Sequence, residues 1–380
     1  MTSLTPSAFY FLYFAAVSCL MPFLALFYQS LGLTGGQIGL LIGISPLITL
    51  VAASFWTGLA DRTRHHKLVM TGLIAGTVAA ALLILQMDAF FWLLLVVSVF
   101  SFLLAPVVSL SDSATMSMLG ENRHRYGRVR LWGTIGWGVV APVAGLVIQR
   151  TSLDWAFYLF AIFMSATLIV SLWYTFPRDS HIVPYAEGMR ILLRNRRWMF
   201  FLAMVFLCGI GTSTVSSYLF IFMDDLQASK TLMGIALTLA SVSELPVMFF
   251  ANRLLRRFNP HGVLLLAMVT VAVRVLLYSF SSAAWQVLLI QLLHGLTFPV
   301  IWVAGVSYAD QIAPPGLKAS AQGMFGGALL GFGAAVGSLL GGVLLQQIGS
   351  AGMYRITGII VLAGMFFIIT LERIFTRETV

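Results

Sequence analysis

The sequence predicts an all-α membrane protein whose twelve transmembrane helices form two pseudo-symmetric six-helix bundles. Three observations predict it: a composition suited to lipid, recurring apolar runs of about 20 residues, and basic residues gathered in alternate connections. Hydrophobic residues make up 59% of the 380 residues, charged residues only 9%, and the mean hydropathy is +0.95. Soluble domains carry about 25% charged residues, so a bilayer is the solvent that this composition fits.

The apolar runs predict helices rather than the strands of a membrane barrel. Lipid cannot hydrogen-bond a free backbone, and barrel strands would alternate polar and apolar residues, whereas these runs are continuous. Turn and charge signals separate twelve of them. They cover residues 8–30, 36–60, 68–87, 90–118, 128–149, 154–175, 198–223, 231–252, 262–280, 284–309, 317–345 and 352–372.

The basic residues predict the orientation of these spans. With a cytoplasmic amino terminus, the even-numbered connections and both termini face the cytoplasm. Eighteen of the 22 Lys and Arg residues lie there, three lie in the outer connections, and Arg274 lies within a span. This positive-inside pattern supports the span count and predicts a multi-pass membrane protein with both termini cytoplasmic. Because the basic residues are scattered among short loops, the net charge of +9 does not indicate a nucleic-acid partner.

The longest polar segment divides the spans into two groups of six. It predicts an amino-terminal bundle over residues 1–176, a cytoplasmic linker over 177–197 and a carboxy-terminal bundle over 198–380. Duplicated halves of this kind are typical of secondary transporters.

Small and polar residues recur within several spans. Glycines four residues apart in the eleventh span predict close helix packing; they are Gly323, Gly327 and Gly331, then Gly333, Gly337 and Gly341. Polar residues in spans seven, eight and ten either line a water-filled cavity or form interhelical hydrogen bonds. They are Thr212, Ser213, Ser216, Ser217, Thr238, Ser241, Gln291 and Thr297.

Three ionisable residues are predicted near mid-membrane in the second half. A charge there costs about 2.5–3.5 kcal/mol even on lenient scales, so each needs a partner and usually a function. At 1.5 Å per residue, Glu244 and Arg274 lie about 12 Å and 18 Å from the cytoplasmic ends of their helices, and His294 about 15 Å from the outer end. We expect an ion pair between Glu244 and Arg274, with His294 in the same network. Such a group either carries protons or only fixes helix packing.

The first half contains a second group of candidate residues. Asp112 lies in span four and Arg130 at the start of span five, so antiparallel neighbours could bring them together. Trp137 lies seven residues after Arg130 and returns to nearly the same helix face. Its ring is predicted to stack on a substrate or to pack against a neighbouring helix.

The six-plus-six arrangement, with Asp61-Arg62 after span two, resembles the major facilitator superfamily over the whole chain. The resemblance implies that fold, and it implies a gating role for Asp61 and Arg62. Residues 126–137 resemble a segment shared by the branch that contains lactose permease, nucleoside:proton symporters and phenylpropionate transporters. The acid of span eight, the arginine of span nine and the histidine of span ten, at Glu244, Arg274 and His294, resemble lactose permease too. The resemblance implies a bacterial inner membrane as the location. It also implies substrate binding by Asp112, Arg130, Trp137 and His294, and proton coupling by Glu244, Arg274 and His294.

One departure from this branch concerns the proton carrier. Lactose permease has a glutamate three residues after its histidine, whereas this chain has Thr297 after His294. If the chain is proton-coupled, the carrier is then expected at Glu244 or Asp112.

The expected function is secondary active transport of a small organic solute by alternating access. Proton symport of an aromatic acid, a sugar or a nucleoside is the first hypothesis. A drug:proton antiporter is the alternative, because Gly138, Pro142 and Gly145 partly match an antiporter motif. We expect a monomer whose partners are the substrate, protons and lipid, without metal or cofactor. No catalytic motif or soluble domain indicates an enzyme.

Overall fold

The computed structural model describes residues 4–176, 192–257, 259–313 and 318–377, and within these ranges it is almost entirely helical, without β-strands. The helices are α1 (Leu4–Leu20), α2 (Leu24–Ser30), α3 (Gly35–Thr63), α4 (His66–Ile84), α5 (Phe90–Leu119), α6 (Tyr126–Arg150), α7 (Trp155–Ser171), α8 (Arg196–Asp225), α9 (Lys230–Arg257), α10 (Pro260–Ser279), α11 (Ala284–Gln291), α12 (Phe298–Ile312), α13 (Lys318–Gly326) and α14 (Ala334–Arg377). Short 3-10 turns at Met21–Phe23, Gly120–Arg125 and Leu292–Leu296, and a π-helical turn at Gly327–Gly333, join several of them.

Ten stretches in the described ranges are long and apolar enough to cross a membrane. The last, Ala321–Glu372, has 52 residues, which is more than twice the roughly 20 residues that one crossing needs. Gly349 divides it with a left-handed φ of 71°, so this stretch supplies two crossings. Trp155–Ser171 adds a shorter apolar helix of 17 residues. The predicted all-α fold with twelve crossings is confirmed.

Local sequence signals account for two helix starts in the second half. The Asn195 side chain accepts hydrogen bonds from the backbone N–H groups of Arg197 and Trp198 and thereby caps α8. Asn259 caps α10 in the same way through the N–H of Gly262, and Pro260 occupies the first turn, where no N–H is required. These caps fix where α8 and α10 begin.

The chain divides into two compact units. The first comprises Met1–Leu33, Ile44–His181 and Gln227–Ser241, and the second comprises Thr34–Gly43, Ile182–Leu226 and Val242–Val380. The start of α3 therefore packs in the second unit, and the start of α9 packs in the first. The predicted linker lies largely outside the described residues, and the bundle boundaries at 176 and 198 stay predictions.

Glycines allow the closest helix contacts in the second unit. A side chain at Gly333 would meet the backbone of Phe206 and Gly209 on α8, and one at Gly337 would meet Ile210. The Thr214 hydroxyl donates to the Gly337 carbonyl at 3.1 Å across the same contact. The glycine spacing in the eleventh span thus serves backbone-to-backbone packing of α14 on α8.

The start of α3, which packs in the second unit, and the start of α9, which packs in the first, also make close contacts at glycines. A side chain at Gly39 on α3 would lie 2.9 Å from the Ser338 carbonyl oxygen on α14, and the Gly36 N–H donates to Gln346 Oε1 at 3.0 Å. In the first unit, a side chain at Gly234 on α9 would collide with the backbone of α6 at Ala141. Neither contact has room for a β-carbon.

Candidate functional site

The candidate site of the second unit is a hydrogen-bonded cluster that comprises Glu244, Arg274, Gln291, His294 and Thr297, hereafter the second-unit cluster. Arg274 on α10 donates to His294 Nδ1 at 3.0 Å, to Thr297 Oγ1 at 3.2 Å and to Gln291 Oε1. His294 Nε2 lies 2.9 Å from Glu244 Oε1 on α9. The structure thus brings together the three residues that the sequence placed near mid-membrane.

The imidazole of His294 separates the acid from the arginine, so the expected direct pair between Glu244 and Arg274 is wrong in its geometry. Gln291 and Thr297 take other N–H groups of Arg274, and the His294 ring occupies the space towards Glu244. Sequence spacing could not show this, because it does not determine where each side chain points.

The donors and acceptors determine the proton positions in this cluster. A guanidinium only donates hydrogen bonds, so His294 Nδ1 must accept from Arg274 and carry no proton. The ring proton is then on Nε2, which donates to the Glu244 carboxylate. A neutral imidazole therefore lies between a cation and an anion whose charges cancel.

The residues of the second-unit cluster differ in how much of each is exposed. Arg274 is 4% exposed, whereas the side chains of His294 and Glu244 are 23% and 24% exposed. The pair formed by His294 and Glu244 is therefore the less buried part of the cluster.

A break in the tenth span positions His294. Helix α11 ends at Gln291, a 3-10 turn covers Leu292–Leu296, and Thr297 has φ and ψ of −105° and −95° before α12 begins. Pro299, in the first turn of α12, has no N–H to continue the helical ladder. Gly295 lets this turn lie directly against α9, where its N–H donates to Ser243 Oγ at 2.9 Å. The close contact brings the His294 ring to Glu244.

The first unit contains a second cluster, here called the first-unit cluster, which comprises Tyr10, Phe14, Asp112, Tyr126 and Arg130. Asp112 Oδ1 accepts hydrogen bonds from Tyr10 at 2.5 Å and from Tyr126 at 2.9 Å. The Arg130 guanidinium lies over the Phe14 ring at 4.2 Å and over the Tyr10 ring at 5.3 Å. The predicted proximity of Asp112 and Arg130 is present, but tyrosine hydroxyls satisfy the acid and aromatic faces hold the arginine.

Arg130 has no hydrogen-bond acceptor or acid within ion-pair distance among the residues that the structure describes. Its N–H groups are therefore available for an acceptor from outside the protein. Sequence reasoning missed Tyr10, Phe14 and Tyr126. The aromatic residues of α1, which recur at helical spacing, were the signal that could have found the first two.

The remaining predicted site residues lie apart from these contacts. Trp137 is half-buried on α6 and has neither a hydrogen bond nor a ring partner in the described part of the chain. Arg62 is exposed near the end of α3, and the side chain of Asp61 lies outside what the structure describes. The roles of all three stay predictions.

Several polar residues outside the clusters bond to backbone or to other helices. The Thr238 hydroxyl donates to the Gly138 carbonyl at 2.6 Å, and Ser217 lies 3.0 Å from the Ser338 hydroxyl. Thr212 bonds to the backbone of its own helix. These contacts favour the packing interpretation of the polar residues in spans seven and eight.

An aromatic row continues from the second-unit cluster along α12. The His294 and Phe298 rings stack with centroids 6.3 Å apart, and the Phe298 and Trp302 rings follow at 6.1 Å. Trp302 is 37% exposed, so part of this apolar surface remains accessible. Sequence reasoning had not connected these rings to His294.

Comparisons with known proteins identify the family. The family described as "MFS_1 like family" matches residues 4–356. The "Maltose permease" of Geobacillus stearothermophilus is 28% identical over 370 residues, which cover 96% of this chain and 93% of that protein. The "Probable 3-phenylpropionic acid transporter" of Escherichia coli (strain K12) is 24% identical, with 94% of each chain covered.

A solved structure shares the fold over almost the whole length. The crystal structure of the nucleoside transporter NupG has a TM-score of 0.86 and 18% identity, and the match covers 98% of this chain and 99% of that one. The relatives and solved structures are transporters rather than enzymes. The chain is therefore a multi-pass membrane protein that belongs to the MFS_1 like family of major facilitator transporters.

Proposed function

We propose that this protein is a proton-coupled symporter that imports a small organic solute across a bacterial inner membrane by alternating access. In this proposal it is a monomer with both termini in the cytoplasm. The observation that carries the proposal is the chain of hydrogen bonds from Glu244 through His294 to Arg274. These hydrogen bonds depend on the protonation state of His294 and Glu244.

A proton added to Glu244 or to His294 leaves the charges of the second-unit cluster unbalanced. On Glu244 it removes the anion and leaves the buried cation of Arg274 unpaired, which is costly in a low-dielectric interior. On His294 it gives both ring nitrogens a proton, so that Nδ1 meets Arg274 as donor against donor and cation against cation. Either event disfavours the arrangement described above, which is how protonation would shift the protein between facing states.

Substrate binding is assigned in this proposal to the first-unit cluster and Trp137. The free N–H groups of Arg130 suit an acceptor-rich ligand such as a carboxylate or a sugar, and the exposed part of the Trp137 ring suits stacking. His294 is also proposed to bind substrate, and the aromatic row beside it suits a ring-containing ligand. These features support an aromatic acid, a sugar or a nucleoside as substrate.

The first experiment identifies a ligand. Thermal unfolding of the purified protein is measured with 3-phenylpropionate, maltose and uridine, since a ligand that binds the folded state raises its apparent stability. Proteoliposomes are then loaded with opposite pH gradients. Accumulation that follows the inward proton flow supports symport, whereas accumulation against that flow supports the alternative drug:proton antiporter.

Glu244→Gln tests the coupling role. The amide can still accept from His294 Nε2 but cannot exchange a proton, so we expect pH-driven accumulation to be lost while exchange of labelled against unlabelled ligand continues. Glu121→Gln, at an exposed carboxylate, is the matched control and should accumulate ligand like the parent. A Glu244→Gln variant that remains concentrative and pH-sensitive would refute the proposal.

A further inference from the structure

The second unit contains a second group of buried polar atoms on the other side of Arg274. Three atoms in this region are buried without a hydrogen-bond partner among the described residues: Arg274 Nε, Tyr354 OH and Thr357 Oγ1. Tyr354 and Thr357 lie on α14, and both are 0% exposed. Packing of Gly358 against Leu276 brings this part of α14 directly onto α10, between Arg274 and the end of that helix.

Buried polar atoms of this kind are rarely left unsatisfied. An unpaired buried donor or acceptor costs about 1–3 kcal/mol, and folded proteins usually satisfy such groups with ordered water. Here the donor lies on α10 and the two hydroxyls on α14, in parts of the two helices that pack directly on each other, so a water molecule between them would have several partners.

Direct contacts connect this region to the second-unit cluster. The Tyr278 hydroxyl donates to Gln291 Oε1 at 3.2 Å, and the same oxygen accepts from Arg274. The Tyr278 and Tyr354 rings lie with centroids 5.2 Å apart. Gln291, Tyr278 and Tyr354 therefore connect the guanidinium to this part of α14 through direct contacts.

The face of α14 that contains Tyr354 and Thr357 carries a further polar residue near the end of α8. Ser350, Tyr354 and Thr357 are four and three residues apart and so lie on one side of the helix. Ser350 donates to Asp225 Oδ2 at 2.5 Å, and Asp225 is exposed at the end of α8. Polar side chains therefore line this face of α14 from the exposed Asp225 to the buried hydroxyls.

We propose that water occupies the pocket bounded by Arg274 Nε, Tyr354 OH and Thr357 Oγ1, and that this pocket is the alternative partner of Arg274 when a proton occupies the second-unit cluster. The proposal deepens the proposed function and rests on its proton-coupling step. The hydroxyl oxygens and water accept the hydrogen bonds that His294 can no longer accept. No covalent bond changes except the O–H or N–H bond that gains the proton.

Hydroxyl-radical footprinting tests the water site without any ligand. X-ray pulses generate radicals from water next to a side chain, so Tyr354 should be labelled several-fold faster than Tyr218. Tyr218 is equally buried, but its hydroxyl donates to the Ser338 carbonyl. Equally slow labelling of the two tyrosines would overturn the water site.

A pH titration tests the link to Arg274. Infrared spectra of the purified protein are recorded as a function of pH. The spectral change that is absent from the Glu244→Gln variant reports proton uptake by the second-unit cluster. Tyr354→Phe and Thr357→Val should each move this change to lower pH, because they remove acceptors on which Arg274 depends more once protonated His294 no longer accepts its hydrogen bond. Tyr28→Phe, which removes a buried and unpartnered hydroxyl in the first unit, should not move it.

The outcomes separate this inference from the proposed function. An unchanged titration in both α14 variants refutes the alternative-partner role while proton coupling stands. If the parent shows no such infrared change, the proton-coupling role of Glu244 fails, and with it the alternative-partner role. The footprinting result then decides the water site by itself.

Discussion

Single residues already explain why the two clusters differ in chemistry. In the first unit, Asp112 is satisfied by two tyrosine hydroxyls, and Arg130 rests on aromatic faces with its N–H groups available. In the second unit, Arg274 is buried and contacts three acceptors. An arginine with free N–H groups suits ligand binding, whereas a buried arginine held by three acceptors suits a switch that changes partners.

Arg130→Lys tests the arginine with free N–H groups. Lysine keeps the charge but loses the planar face that stacks on Phe14 and the paired N–H groups that bind an oxygen-rich ligand. We expect affinity for the ligand found in the thermal screen to fall about tenfold or more, or about 1.4 kcal/mol, with little change in unfolding temperature.

Arg128→Lys is the control for this substitution. Arg128 is exposed two residues earlier on the same helix, and its replacement should leave the binding isotherm unchanged. Equal affinities of the Arg130→Lys variant and the parent, measured by isothermal calorimetry, would remove Arg130 from the binding site.

The proximity of the ionisable residues of the second unit could be predicted from the sequence, because helix rise and span limits give the three residues similar expected depths. Glu244, Arg274 and His294 are indeed neighbours. The side-chain directions could not be predicted in the same way, since a single 3-10 turn at Leu292–Leu296 rotates His294 relative to a continuous helix. The partners of Asp112 were missed because Tyr10 is 102 residues away in sequence.

Among the helices, the interrupted tenth span has the greatest effect on the site. A continuous helix would satisfy its own backbone and offer no turn that fits against α9. In this turn, which includes Gly295 and precedes Pro299, regular helical hydrogen bonding is replaced by a close approach to α9. Discontinuous helices are typical of transporter binding sites.

Gly295→Ala tests this close approach. The added β-carbon would collide with the Ser243 backbone on α9, so the turn must move away and lengthen the contact from His294 to Glu244. We expect a loss of about 1–3 kcal/mol of stability, seen as a lower unfolding temperature in detergent, together with weaker pH dependence.

Gly72→Ala is the matched control, since nothing lies within 4 Å of a β-carbon at Gly72 on α4. There alanine should be neutral, or stabilise the helix by up to about 1 kcal/mol. If both variants melted at the same temperature, the tight fit of Gly295 would not be required.

At the scale of the whole molecule, the division of the sequence into two halves does not predict one main feature: the starts of α3 and α9 each pack in the unit to which the rest of the helix does not belong. Residues Thr34–Gly43 pack in the second unit although the rest of α3 belongs to the first, and Gln227–Ser241 show the converse. Glycine contacts hold both helix starts. A transport cycle by alternating access would require such contacts to open and close.

A covalent link across one of these contacts tests that requirement. Gly36→Cys combined with Gln346→Cys, joined by a short thiol cross-linker, should arrest ligand uptake, because the start of α3 could no longer leave α14. The native Cys19 and Cys208 are buried and should not react.

Gly36→Cys alone, treated with the same reagent, should retain uptake. A reducible linker adds a further check, since cleavage should restore transport. Full uptake by the cross-linked protein would show that this contact stays closed throughout the cycle.

The cancelling charges of Glu244 and Arg274 have an electrical consequence. With Asp112 and Arg130 also of opposite sign, these four residues together carry no net charge. Under the proposed proton symport, one proton with a neutral sugar would make the loaded form positive, whereas one proton with a carboxylate would leave it neutral. A voltage of 100 mV acts on one elementary charge with about 2.3 kcal/mol, so the interior-negative potential would drive sugar import and leave carboxylate import to the pH gradient.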